Sequence, residues 1–457
     1  MWPEGSTFTH LKRNQLNVST ASPSGSTPVL KNDKRTITAW AFFDWANSAY
    51  ALVITVAIFP PYFLGIAPDL VDIGGGLQLR DETLEAWCIS LAYLIMAALS
   101  PFLSGLADYG GKKKRFMRFF TLIGSLSCIS LFFFQTPESL WIGVCGFVLA
   151  TVGFAGGIVF YNAYLPDIAT EDRYDAVSAK GFIYGFTGSV ILLVLNLIMV
   201  LKYEAFGFAS DTSAIRWAFV TVGLWWLLFA QIPFRRLPAD SPRPLPLSSL
   251  RKGYEELAKA YRVVRKSRNT TLFLLAFFCY NAGVQAILFL ASSFADKEMK
   301  MEKSKLIGLV LILQLVAIVG AFLSSKLSEK RGNRTSLFVM LSIWTAICLL
   351  GYSVRTETEI FLLGGAIGLV MGGIQALSRS TYAKFLPEDT QETTSFFSFY
   401  DVMDKTSTVF GTLVFGLVAQ LFGGMRSSVL SLAALFVLSL ILLMWVRVRR
   451  MDNVSLT

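Results

Sequence analysis

Residues 105–115 read Gly-Leu-Ala-Asp-Tyr-Gly-Gly-Lys-Lys-Lys-Arg, and residues 326–334 read Lys-Leu-Ser-Glu-Lys-Arg-Gly-Asn-Arg. The second string is a worn copy of the first. Leu106, Asp108 and Gly111 return as Leu327, Glu329 and Gly332, each 221 positions later. The same offset returns Tyr161 and Leu165-Pro166-Asp167 as Tyr382 and Leu386-Pro387-Glu388. Each copy carries six long apolar stretches. Six plus six spans in a parallel repeat is the layout of many secondary transporters, whose cargo site lies near the bilayer midplane between the halves.

Composition agrees. The chain has 457 residues, 54% of them hydrophobic and only 16% charged, which is low for a soluble domain. A bilayer core takes roughly 20 apolar residues per helix. Spans are expected near 37–65, 84–106, 116–135, 138–164, 177–201, 214–234, 270–294, 304–326, 335–354, 358–385, 393–421 and 427–446. The expected class is an all-α membrane protein: twelve transmembrane helices in two six-helix, pseudo-symmetric bundles.

The net charge of +10 is explained by its distribution, with no need of nucleic acid. Lys112-Lys113-Lys114-Arg115 sits between spans 2 and 3, and ten more basic residues lie between Arg235 and Arg268. Lys326, Lys330, Arg331 and Arg334 follow span 8, and Arg447, Arg449 and Arg450 close the chain. The loop at 67–83 is acidic. Basic residues collect on the cytosolic side, so both termini are expected there. The exception is the 297–305 loop, with four lysines largely balanced by Asp296, Glu298 and Glu302.

Residues 1–36, rich in Ser, Thr and Pro, read as a disordered cytosolic tail. The bundles are expected at 37–234 and 270–447, with a linker at 235–269 and a cytosolic tail at 448–457. In the linker Pro238, Pro242, Pro244 and Pro246 exclude helix. Ser248–Arg268 is helix-competent, with Tyr254, Leu257, Tyr261 and Val264 at helical spacing and basic residues around them. That pattern suits a helix lying on the inner membrane face.

Polar residues inside apolar spans carry the chemistry. Asp44, Trp45, Asn47, Ser48 and Tyr50 lie in span 1. A carboxylate at that depth costs roughly 2.5–3.5 kcal/mol on insertion scales, so it faces a cavity or a partner. Asp44, Asn47, Ser48 and Thr55 fall near one helical face. Span 4 ends in Tyr161 and Asn162. Span 7 carries Tyr280, Asn281 and Gln285. In span 10, Gln375, Ser378, Arg379 and Tyr382 follow i, i+3, i+4, i+7. Span 11 holds Asp401, Asp404 and Lys405. Asp401 and Lys405 are placed for an intrahelical ion pair, which leaves Arg379 as a candidate partner for Asp404.

The loop signature Gly105…Asp108…Gly111-Lys112-Lys113 resembles that of the major facilitator superfamily, where it latches the cytosolic gate. The degenerate second copy is Glu329, Gly332 and Arg334. In a twelve-span carrier of that superfamily, spans 1, 4, 7 and 10 line the cavity. Asp44-Trp-Ala-Asn-Ser-Ala-Tyr50, Phe160-Tyr-Asn-Ala through Leu-Pro-Asp167, Tyr280-Asn with Gly283-Val-Gln285, and Gly372-Gly-Ile-Gln-Ala-Leu-Ser-Arg-Ser380 resemble one branch. That branch is the vacuolar amino-acid effluxers linked to autophagy, with their bacterial relatives. The chain departs from it at Ala282, where the branch often has an acid, and at Asp404, where it often has Gly.

The resemblance implies a secondary active transporter for a small polar metabolite, an amino acid or similar zwitterion, exported by alternating access. Arg379 or Lys405 would supply the cation of the site and Asp44 the anion. The sole histidine, His10, lies in the N-terminal tail. A coupled proton would therefore ride on Asp44, Asp401 or Asp404. No phosphate loop or nucleophile elbow occurs, so no enzyme, cofactor or metal is expected. The five cysteines read as small buried hydrophobes. The expected setting is a monomer in a bacterial inner membrane, its partners the bilayer, the cargo and protons. A carrier of amphipathic drugs and a non-transporting sensor or scaffold are the alternatives.

Overall fold

The computed structural model describes residues 31–75, 78–241, 249–299, 301–387, 390, 392–422 and 425–447. Most of both expected tails and the prolines at 242, 244 and 246 lie outside them. Among the described residues twelve helices are long and apolar enough to cross a bilayer. They are α1 (Lys34–Ile66), α2 (Thr83–Gly110), α3 (Lys113–Phe133), α4 (Pro137–Ile168), α5 (Glu171–Leu201) and α6 (Asp211–Arg236), then α7 (Arg268–Leu288), α8 (Lys305–Arg331), α9 (Asn333–Ser353), α10 (Glu357–Ala383), α11 (Thr393–Phe422) and α12 (Met425–Trp445). Their outward sides expose leucines and phenylalanines such as Leu91, Leu126, Leu195, Phe322 and Leu417. Such surface is stable only against lipid or a partner.

An even number of spans returns both ends of the described chain to one side, called here the terminal face. The linker and the two repeated loops lie on it. Asp33 caps α1 there, accepting from the Thr36 amide at 2.9 Å. The Thr36 hydroxyl and amide hold the Asp33 carboxyl below the usual carboxylate range. On the opposite, far face the acidic loop forms a ribbon, with β1 (Leu70–Asp72) antiparallel to β2 (Gln78–Arg80).

Within α1 the backbone widens to π geometry over Tyr50–Ile58. Pro60 and Pro61 follow at once. Neither ring can donate, and each crowds the carbonyl four residues back; a wider turn absorbs both demands.

The two bundles meet along α2 against α11, and along α5 against α8 and α10. A linker helix, Ser249–Lys266, packs across the terminal ends of α2 and α11. Ala260 and Val264 are its buried side, while Tyr261 is half-exposed beside Phe399 at 6.0 Å. The expected membrane-facing stripe is thus turned partly onto protein. Intervals of four residues give the buried side, and the α2–α11 seam gives it apolar surface.

Candidate functional site

Arg379 links the two bundles from a buried position. It belongs to α10 of the second bundle, yet its guanidinium lies among α1, α4 and α5 of the first. Nε donates to Ser178 Oγ at 2.9 Å and Nη2 to the Ser178 carbonyl at 2.8 Å. Nη1 donates to Asn162 Oδ1 at 3.2 Å and to Asp44 Oδ2 at 3.5 Å. Phe182, Trp40 and Tyr161 place their rings 4.4, 4.8 and 5.3 Å from its Cζ. The Tyr161 hydroxyl donates to the same Asp44 oxygen at 2.7 Å. Arg379 is 3% exposed. A cation so deep needs its donors spent and its charge matched, and this pocket does both. The helices come close enough because α5 has glycine at 181. A Cβ there would sit 2.6 Å from the Tyr161 hydroxyl and 2.8 Å from Asp44 Oδ2.

A second charged group sits in α11. Lys405 Nζ lies 3.1 Å from Asp401 Oδ1 and 2.7 Å from Asp404 Oδ2. Asn281 of α7 donates to Asp404 Oδ1 at 3.0 Å and to Ser407 Oγ at 2.8 Å. The Tyr280 and Ser378 hydroxyls share a hydrogen bond at 2.6 Å.

Between these groups and the far face lies a cavity of ≈ 330 Å³, within the size range of small-molecule sites. Its polar wall includes Asp44, Ser48, Asn281, Gln375, Asp404 and Lys405; toward the far face Leu309, Leu313, Ile360 and Ile367 make it apolar. Asp404 is its most open charge, with 23% of the side chain exposed against 8% for Asp44.

Toward the terminal face the bundles are bolted together. Asp108 of α2 accepts from the Thr394 and Ser395 amides at 3.2 and 2.6 Å, capping α11 from the other bundle. Lys113 donates to Asp167 and to Thr393 Oγ1, each at 2.6 Å. Gly111 turns the chain at φ +57, its α-carbon so near the Ser241 carbonyl that a Cβ would lie 2.3 Å away. Across the seam Asp175 of α5 accepts from Asn333 at 2.7 Å, Lys384 at 2.8 Å and Ser328 at 3.0 Å.

Residues 32–454 match the family model described as vacuole effluxer Atg22 like. The chain belongs to that family. It is 31% identical over 424 residues to the MFS-type transporter YxiO of Bacillus subtilis (strain 168), covering 91% of this chain and 96% of that one. It is 25% identical over 465 residues to autophagy-related protein 22-1 of Aspergillus niger, covering 82% and 74%. Two solved structures share its fold. The fucose transporter FucP in its outward conformation superposes with TM-score 0.67 at 16% identity, over 90% of this chain and 98% of that one. The human organic anion transporter MFSD10 gives 0.70 at 12%, over 91% and 100%. This Atg22-like protein is therefore a multi-pass membrane protein and a secondary transporter with the major facilitator fold.

Ser48, Tyr50, Asn162, Gln285 and Ser378 also reach the cavity wall, but five expected lining residues do not. Trp45 stacks on Trp225 at 5.6 Å, and Asn47 is fully buried in the first bundle. Asn47 lies three residues from Asp44 and Ser48 four, and that difference in rotation separates core from cavity. Tyr161 packs behind Arg379, which itself lines the cavity floor. Tyr382, a turn nearer the terminal face, donates to the Phe396 carbonyl at 2.7 Å. Asp401 points into the α2–α11 seam.

The expected Asp404–Arg379 pair is not formed. Lys405 and Asn281 satisfy Asp404 locally, and Arg379 reaches across the seam instead. Nor does Glu329 repeat the part of Asp108. It pairs with Lys326 at 2.9 Å on the surface, because α5 already supplies an acid, Asp175, to that half of the seam. Gly332 turns at φ +81 and Arg334 donates to the Met444 carbonyl at 2.5 Å. Gly105 is buried in the last turns of α2, and Lys112 precedes α3 half-buried. Sequence reasoning passed over Asp175, Ser178, Phe182 and Lys384. The signal was there: an acid and a glycine-spaced face at the start of span 5.

Proposed function

We propose that this transporter moves an amino acid or similar zwitterion out of the cytosol by alternating access. The terminal face, rich in Lys and Arg, is the cytosolic one. The conformation described is then outward-facing, closed below Arg379 and hollow above it.

The observation that carries this reading is the placing of opposite charges around one cavity. Asp404 offers an open carboxylate to the cargo ammonium. Arg379 offers a guanidinium whose longest contact, 3.5 Å, is the one to Asp44. A cargo carboxylate competes with Asp44 there, while the apolar upper wall takes its side chain. Displacing Asp44 loosens a side chain that crosses from α10 into the first bundle. Cargo binding thereby acts differently on the two states, as a coupled carrier requires.

The test is exchange of labelled amino acids by the purified protein in liposomes. Saturable exchange is expected, and Arg379→Ala should abolish it. The apolar upper wall also suits an amphipathic cargo. A lipophilic cationic dye carried where no amino acid is exchanged would favour that second reading.

A further inference from the structure

Among the described residues fourteen buried side-chain polar atoms lack a hydrogen-bond partner, and five of them lie along one seam. They are Ser100 Oγ and Ser104 Oγ on α2, and Thr394 Oγ1, Ser395 Oγ and Asp401 Oδ2 on α11. On α2, Ser100, Ser104 and Asp108 follow at intervals of four and share one stripe, about 5.4–6 Å apart. On α11, Thr394, Ser398, Asp401 and Lys405 follow at four, three and four. The helices run antiparallel. Asp108 meets Thr394 and Ser395 at one end, Ser100 lies against Asp401, and Lys405 sits 5.6 Å from the Tyr93 ring at the other. The result is a row of oxygens running from the cavity to the terminal face.

Charge points to the same place. Asp44 and Arg379 balance each other. Asp401, Asp404 and Lys405 leave one negative charge over, in a span where an uncompensated charge is costly. Lys405 uses Asp401 Oδ1 and Asp404 Oδ2. Asn281 uses Asp404 Oδ1. Asp401 Oδ2 is the carboxylate oxygen left without a partner, and Asp401 is 3% exposed.

The other neighbours leave that balance unchanged. Tyr93 from α2, Tyr280 from α7 and Tyr400 on α11 itself are neutral phenols. The helical segments of α4 and α12 at this depth carry no charged side chain. The linker helix keeps Lys259 on its own Glu256, at 2.9 Å, at the terminal end.

We infer that Asp401 binds the coupling proton, and that the hydroxyls of Ser100 and Ser104 conduct it between Asp401 and the terminal face at Asp108 in the conformer whose cavity is shut from the far face. A metal ion is a poor occupant, because the Lys405 ammonium already holds the same carboxylate and few oxygens remain. In conduction the proton leaves Asp401 Oδ2. The adjacent Ser100 hydroxyl accepts it and releases its own proton through a bridging water toward Ser104, which does the same toward Asp108, and Asp108 passes it to water at the terminal face. Each hydroxyl ends as it began, and Asp401 is left as a carboxylate paired with Lys405. This deepens the transport reading by naming its coupling ion, and rests on that reading only for the use made of the proton.

The test therefore needs no cargo. Infrared difference spectra of the full chain in lipid nanodiscs, taken between acidic and alkaline buffer, should show the carbonyl stretch of a protonated carboxyl. Asp401→Asn should remove it, Asp401→Glu should keep it at a displaced frequency, Asp44→Asn should leave it, and Asp404→Asn, which removes the surplus charge, should move its appearance to lower pH. After a pH jump the band in Ser100→Ala/Ser104→Ala should respond slower by about tenfold or more. A band that survives Asp401→Asn, or is missing from the unaltered chain, overturns the proton site. An unchanged rate in the double variant overturns the path. Amino-acid exchange without the band sinks this inference alone; the band without exchange sinks the choice of cargo alone.

Discussion

The main-chain N–H of Ser395, in the first turn of α11, donates to Asp108 Oδ2 of α2 at 2.6 Å, so one bundle caps a helix of the other. A side-chain cap is worth roughly 0.5–2 kcal/mol, and here that energy exists only while the terminal face is closed. Asp108→Ala should therefore move the equilibrium toward the open terminal face by about 2- to 30-fold, and Asp108→Asn by less. The check is a spin-label distance between Arg173→Cys and Lys330→Cys, both exposed, with the five native cysteines replaced. A distance distribution unmoved by Asp108→Ala would show that the cap does not hold the gate.

Arg379 and Asp44 should behave as one unit. Removing one member of a buried pair strands the other, at about 3–5 kcal/mol, whereas replacing both with neutral groups costs less. Arg379→Gln and Asp44→Asn should each lower the melting temperature of the detergent-solubilised protein, and the double variant should lie above the sum of the two losses. Arg379→Lys should not restore exchange. An ammonium cannot reach Ser178, Asn162 and Asp44 together, nor lie flat among Phe182, Trp40 and Tyr161. Strict additivity in the thermal cycle would separate the two residues.

The spans were legible because a bilayer imposes one length and one polarity on every helix. Expected 393–421 is observed as Thr393–Phe422, and expected 335–354 as Asn333–Ser353. Errors are larger where a helix continues into charged sequence: α2 runs on to Gly110, and α5 begins at Glu171. The apolar signal ends with the hydrocarbon, while the helix does not. Partners were less legible than positions. That Arg379 must be matched follows from its depth; that its match is Asp44, 335 residues away, follows from how two bundles dock. The repeat also misled at Glu329. It predicts equivalent positions, but the seam is not symmetric in which helix supplies the acid.

Gly181 is a direct test of the close approach of α5 to α1. Its missing Cβ would fall within 3 Å of Tyr161, Asp44 and Arg379 Nη2. Gly181→Ala should cost about 1–3 kcal/mol of stability, the usual toll of overpacking, and should reduce exchange. Gly365, on α10, has nothing within 4 Å of a Cβ. Gly365→Ala should be neutral or stabilising by up to about 1 kcal/mol, since alanine is the better helix former. Equal melting temperatures for the two variants would contradict the packing described around Arg379.

Asp404 should set the affinity for cargo more than the integrity of the fold. It is the most open charge of the cavity, and Lys405 keeps Asp401 when Asp404 is neutralised. A charge-assisted hydrogen bond is worth about 1.5–3 kcal/mol, so Asp404→Asn should raise the KM for amino-acid exchange by about 10- to 150-fold while the melting temperature changes little. The amino group of the cargo offers an independent readout. N-acetylation removes its positive charge, so an N-acetyl amino acid should compete poorly against the unaltered protein and should lose little further in Asp404→Asn. If acetylated and free amino acids compete equally well with the unaltered chain, the ammonium is not read at Asp404, and the carboxylate there serves only to hold Lys405 and Asn281.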